Sequence, residues 1–153
     1  MEWLKISNRL KAKLFNFYPP FIGANIRITD CNEQLTQIKV EMGLNRWNKN
    51  VMGTHFGGSL YSMCDPFYMW ILMENLGKAF IVWDKAATIR FRKPGTGVVS
   101  AVFEVPAERI EEIRTEVMEK GKNDYAFSTV VTNEASQVVA EVEKTVYVRF
   151  NKK

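Results

Sequence analysis

Residues 45–76 read NRWNKNVMGTHFGGSLYSMCDPFYMWILMENL, and the reading of this stretch decides the fold. It divides into a polar loop, the glycine pair Gly57 and Gly58, and a long apolar segment. Leu60, Met63, Cys64, Phe67, Tyr68, Ile71 and Leu72 recur at three- and four-residue spacing, which predicts a helix over 57–76. Met69, Trp70 and Met73 make much of its other side apolar, so this helix is expected to be buried. The glycines at its start let another group approach the backbone closely, and the unpaired N–H groups of a helix N-terminus suit an electron-rich oxygen. Asp65 falls inside the apolar run, where an ionised carboxylate is costly without a partner. Two readings of Asp65 stand side by side. It is a chemically active carboxylate, or it is the N-cap ahead of Pro66, so that the helix begins there and 57–64 is loop.

The 153 residues are one domain's worth, and 46% apolar residues supply a sizeable core, so 1–153 is read as a single domain. The formal charge of +4 is scattered among 17 acidic residues, which does not point to nucleic acid and suits a small anionic ligand. Cys31 and Cys64 lack metal-ligand spacing and His55 is the single histidine, so no metal site is expected and both thiols are read as reduced and packing. Glu2, Lys5 and Arg9 interrupt the N-terminal segment, and the longest apolar run, Phe67 to Met73, is too short to span a bilayer. A cytoplasmic protein is expected.

Residues 2–17 place Trp3, Ile6, Leu10, Leu14 and Phe17 on one face of an amphipathic helix stopped by Pro19 and Pro20. That face is expected to pack on the domain; the other reading is an interfacial membrane helix. Ile26 and Ile28, then Leu35, Ile38, Val40 and Met42, alternate with polar residues as a hairpin turning at 31–33. Beyond Gly77, the strand from Phe80 to Arg92, the turn at 93–97 and Val99, Ala101, Phe103 and Val105 read as a second hairpin. Ile110, Ile113 and Val117 form a helical stripe over 107–120 with Gly121 as its C-terminal cap. Tyr125 to Thr132 and Val138 to Phe150 close the chain as two strands joined at 133–136. The order αββαββαββ predicts an α+β fold, a curved antiparallel sheet of about six strands wrapped around the central helix.

The stretches NKNVMGTHFGGSLYSMCD and IVWDKAATIRFRKPG resemble the hotdog-fold superfamily of acyl-thioester enzymes. More narrowly, they resemble an uncharacterised bacterial family related to the phenylacetyl-CoA thioesterase branch and to the thioesterase-like domain fused to some acetyltransferases. The resemblance covers nearly the whole chain. In that branch the motif is an Asn in the loop, a small-residue turn, His-Gly-Gly, and an acidic residue two helical turns later. Gly57, Gly58 and Asp65 match it, and Asn48 or Asn50 matches the Asn. Phe56 stands where the motif has its histidine, with His55 displaced by one position.

The resemblance implies a thioesterase with no cofactor other than the coenzyme A of its substrate. Asp65 would serve as base or nucleophile, the Gly58 N–H would polarise the carbonyl, and Asn48 and His55 would complete the catalytic set. Asn50, Thr54, Phe56 and Gly57 would line the substrate site, and Arg90 and Arg92 could meet coenzyme A phosphates unless they simply face solvent. On a continuous helix, Gly58 and Asp65 stand about 10 Å apart along the axis at ~1.5 Å per residue, too far to serve one carbonyl. A homodimer, or a dimer of such dimers, is therefore expected, with an antiparallel partner helix bringing its Asp65 opposite this Gly58. Two rivals remain open: a non-catalytic acyl-CoA or fatty-acyl binding module, and a lipid-surface or assembly protein using the N-terminal helix.

Overall fold

The computed structural model describes residues 6–151. Six strands form one antiparallel sheet: β1 (Ile26–Cys31), β2 (Gln37–Gly43), β3 (Phe80–Phe91), β4 (Val98–Glu104), β5 (Lys122–Asn133) and β6 (Val138–Phe150), in the order β1-β2-β4-β5-β6-β3. The first and the β5–β6 hairpins are formed as expected, though the first turns at 32–36, with Leu35 in the turn at φ 51° rather than on the second strand. The second hairpin is not. β3 pairs with β6 and β4 pairs with β2 and β5, so residues 92–97 cross from one edge of the sheet toward the other side rather than turning back. That crossing leaves the 12-residue β3 at a sheet edge.

The central segment lies in the sheet's hollow as two pieces, α3 (Gly57–Ser62) and α4 (Phe67–Leu76). The N-cap reading of Asp65 does not hold: residues 57–62 are helix rather than loop, and Pro66, not Asp65, is the N-cap of α4. A proline interrupts the ladder because it lacks an N–H. Phe67, Ile71 and Leu72 are fully buried, with Phe67 and Tyr68 packed on Phe103 at centroid distances of 4.8 and 5.3 Å. Met73 remains exposed, so a single chain does not cover the whole helix. The stripe Ile110, Ile113 and Val117 of α5 (Ala107–Lys120) is buried as expected, and Arg114 from that helix donates to the carbonyls of Asn75 and Leu76 at the end of α4.

The N-terminal helix departs from its expected face. Trp3 lies outside the described residues. In α1 (Asn8–Phe15), Leu10 and Leu14 are exposed, as is Phe17 beyond it; Ala12 is buried and Phe15 stacks on Trp70 at 5.0 Å. A short second helix, α2 (Pro19–Ala24), follows at once, because two prolines at its first positions need no N–H partners there. No described helix is long and apolar enough to cross a membrane.

Candidate active site

Asp65 sits at the break between α3 and α4 with its side chain about half exposed, at 51%. Its carboxylate accepts from the Tyr61 hydroxyl at 2.8 Å and from Lys144 Nζ at 3.1 Å. Lys144 is wholly buried. It also donates to the Asp65 backbone carbonyl at 2.8 Å, to Asp84 Oδ2 at 2.8 Å and to Tyr61 Oη at 3.2 Å. The strand alternation of β6 turns Lys144 inward with Val142, Val146 and Val148, and an ammonium on an apolar face must find acceptors. Burial alone would favour the neutral amine; hydrogen bonds to Asp84 and Tyr61 and the two carboxylate charges outweigh it and hold Lys144 above the ordinary lysine value. Burial raises the Asp84 carboxyl, and the bond and charge of Lys144 offset that only in part. Lys144, Tyr61 and Asp84 thus fix the position of Asp65, and none of the three was singled out as a site residue in the sequence.

The motif loop is held by hydrogen bonds from its own polar side chains. Asn48 is buried; its amide donates to the carbonyls of Ala24 and Gly43 at 2.7 and 2.8 Å, and its Oδ1 accepts the Asn45 N–H. It pins the loop, with both amide protons given to backbone carbonyls. His55 is buried as well. Its Nε2 lies 2.9 Å from the Gly97 carbonyl, which makes Nε2–H the donor, and Nδ1 has no partner among the described residues. Burial lowers its pKa despite the bond to Gly97, so the neutral imidazole ties this loop to the β3–β4 connection. In the single chain both side chains are tied to backbone carbonyls of other elements, Asn48 to Ala24 and Gly43 and His55 to Gly97.

Asn50 accepts from the N–H groups of Met52 and Thr54 and donates to Thr54 Oγ1, closing the turn. Phe56 is 56% exposed, and its ring covers Gly58: a Cβ there would stand 2.4 Å from Phe56 Cε1. A Cβ on Gly57 would stand 3.0 Å from Phe91 Cζ. A side chain at either position would need the exposed Phe56 or Phe91 ring to move. Among the described residues, the Gly58 N–H meets no acceptor. Arg90 and Arg92 pair with Glu143 and Glu141 at 2.8 and 2.6 Å across the exposed β3–β6 face.

Two clefts adjoin these residues. One, of about 590 Å³, is lined by Asn50, Thr54, His55, Gly57, Arg92 and Lys93 among others. The other, of about 750 Å³, lies between the N-terminal helices and the helix break and has Tyr61 and Asp65 in its wall. Among the described residues, no group of His, Cys, Asp and Glu is arranged to hold a metal ion.

A six-stranded antiparallel sheet wrapped around a central helical segment is the hotdog fold. Solved structures share it. A Pseudomonas aeruginosa protein of unknown function, described as a probable thioesterase, superposes with a TM-score of 0.85 at 24% identity, over 95% of this chain and 97% of that one. The Escherichia coli PaaI protein from the phenylacetic acid degradation operon gives 0.66 at 17% identity, over 95% and 94%. A Haemophilus influenzae thioesterase gives 0.69 at 12% identity, over 97% and 94%. The comparison with curated proteins finds no match. The chain belongs to the family described as a domain of unknown function (DUF4442), whose model matches residues 7–148.

Proposed function

We propose that the protein is an acyl-CoA thioesterase working as a homodimer, with Asp65 as general base or nucleophile. The observation that carries this reading is the Asp65 carboxylate, held by Tyr61 and a buried Lys144 yet open to an apolar cleft. A base must be fixed in place and reachable, and this one is both. As base, Asp65 takes a proton from water as the oxygen attacks the thioester carbon. The carbonyl oxygen gathers charge, the carbon–sulfur bond breaks, and the thiolate leaves and is reprotonated. The donor for the oxyanion is the Gly58 N–H of a second chain. The long β3 edge supports pairing of two copies: an unpaired edge strand is a template for another strand, and Ala86, Ala87 and Thr88 at its middle are small and exposed. Arg92 and Lys93 beside the smaller cleft supply positive charge for coenzyme A phosphates, with Arg92 shared with Glu141.

A second reading, an acyl-CoA binding protein without turnover, is favoured by Phe56 at the motif's histidine position and by the engagement of His55 with Gly97. Thiol release from acetyl-, octanoyl-, dodecanoyl- and phenylacetyl-CoA, measured for the wild type beside Asp65→Asn, separates the two. Turnover that the substitution abolishes while light scattering still reports a dimer supports the hydrolase. Absence of turnover by the wild type, with acyl-CoA still bound, overturns it in favour of the binding protein.

A further inference from the structure

The larger cleft has an unusual wall for a soluble domain. Leu14, Phe15, Phe17, Tyr18 and Phe21 from the N-terminal helices face Met69 across it, with Tyr61 and Asp65 at the helix break. Leu14 and Phe17 do not reach the core and leave their apolar surface in this cleft. Isolated surface leucines need no explanation, but a concave apolar wall facing a fixed carboxylate is the composition of a ligand site.

The wall is braced rather than adaptable. Phe15 stacks on Trp70 and packs edge-on to Phe21 at 5.3 Å, and Tyr18 meets Phe21 at 5.7 Å. Lys11 joins Glu74 of α4 at 2.6 Å, and Asn16 bonds both backbone groups of Ile28 in β1, at 2.7 Å to the N–H and 3.1 Å to the carbonyl. These ties anchor the N-terminal helices on α4 and on β1, so the cleft is open before a ligand arrives.

We propose that this cleft is the subsite for the hydrocarbon part of the acyl group, and that it selects medium and long aliphatic or arylacyl thioesters over acetyl. The proposal rests on the acyl-thioester reading above and adds the class of acyl group. Its volume of about 750 Å³ lies within the ~300–1,000 Å³ that buries a drug-sized ligand, far more than an acetyl methyl occupies. The polarity runs the right way for a thioester, with the carbonyl end at Tyr61 and Asp65 and the tail against Leu14, Phe17 and Met69. The predicted apolar face of the N-terminal segment then has a use: it faces substrate instead of core.

Calorimetric titration of the intact chain carrying Asp65→Asn, which removes the proposed base, with coenzyme A, acetyl-, octanoyl-, dodecanoyl- and phenylacetyl-CoA tests this. Affinity is expected to rise with chain length by up to about fourfold per buried methylene and to exceed acetyl-CoA for the phenylacetyl compound. Leu14→Trp at an exposed position, and Met69→Trp on the opposite wall, fill the cleft from two sides and are expected to flatten the series to the acetyl value while coenzyme A itself binds unchanged. Circular dichroism selects whichever variant is folded for the comparison. Equal affinity for acetyl- and dodecanoyl-CoA in the parent, or an undiminished chain-length series in a folded Trp variant, overturns the subsite. The two readings fail separately. Chain-length-dependent binding without turnover by the wild type removes the hydrolase and leaves the subsite, and turnover with length-independent binding does the reverse.

Discussion

Lys144→Met removes the one wholly buried ammonium among the described residues and leaves a side chain of similar length on the β6 core face. The consequences for its two carboxylates differ. Asp65 is half exposed and water replaces much of what it loses, so that pair contributes little to stability. Asp84 is only 20% exposed and its Oδ1 already lacks a partner, so the variant strands a mostly buried carboxylate. Breaking a buried pair in this way costs about 3–5 kcal/mol, a large share of the roughly 5–15 kcal/mol that holds a domain together. At a urea slope of about 2 kcal/mol per molar, the midpoint is expected to fall by roughly 2 M, at fixed protein concentration. Adding Asp84→Leu removes the orphan along with its partner and is expected to restore most of the loss. The pH dependence has a definite sign. Without Lys144 the native Asp84 carboxyl rises further above its unfolded value, so the variant binds an extra proton when folded and its deficit shrinks as pH falls through the carboxylate range. A deficit under about 1 kcal/mol, or one that widens in acid, would refute the reasoning that Lys144 is held chiefly by Asp84.

Three further outcomes follow from the site. Asn48→Ala leaves the half-buried Asn45 N–H and Ala24 carbonyl without their partner, and is expected to cost about 1–3 kcal/mol in denaturation; lost activity with unchanged stability would instead support a catalytic Asn48. Burial depresses the folded-state pKa of His55, so its contribution is present above about pH 6.5 and is lost as pH falls through the folded value. His55→Gln is therefore expected to flatten the stability curve between about pH 7 and 5 relative to wild type, and parallel curves would contradict this. Burial pushes the Cys64 thiol up to about 12 and raises that of Cys31, so a disulfide reagent at pH 8 is expected to label neither faster than the protein unfolds; rapid labelling of the native chain would count against their packing.

What the sequence disclosed and what it concealed divide along the range of the interactions. Alternation and helical spacing are local, and they located all six strands and the stripe of α5. Pairing is not local, and the turn-like residues 93–97 gave a hairpin reading although they carry the chain across the fold, with the Gly95 and Gly97 carbonyls taken by His55. The Asp65-Pro66 pair was legible as an interruption of the apolar run, and the helix does break there, with Pro66 rather than Asp65 at the cap position. Asp65 was visible because a charge in an apolar run is conspicuous. Lys144 carries the same signal at period two, in register with Val142, Val146 and Val148, but reading it required asking which face of β6 is covered. The backbone partners of Asn48 and His55 were not legible, because a motif gives residue types without partners, and Ala24, Gly43 and Gly97 lie far from them in sequence or in other elements.

The central claim, a site shared between two chains, is tested most directly by mixing two disabled variants. Asp65→Asn lacks the base. Gly58→Pro lacks the N–H donor, at a first-turn helix position that tolerates proline and beside an exposed Phe56 ring that can swing aside. Each alone is expected to release no thiol from dodecanoyl-CoA. Unfolded together in equal amounts and refolded, half the dimers pair one chain of each kind and hold one complete site of two, so activity is expected to return to about a quarter of wild type. A mixture as silent as its components, or full activity in Gly58→Pro alone, would contradict the shared site.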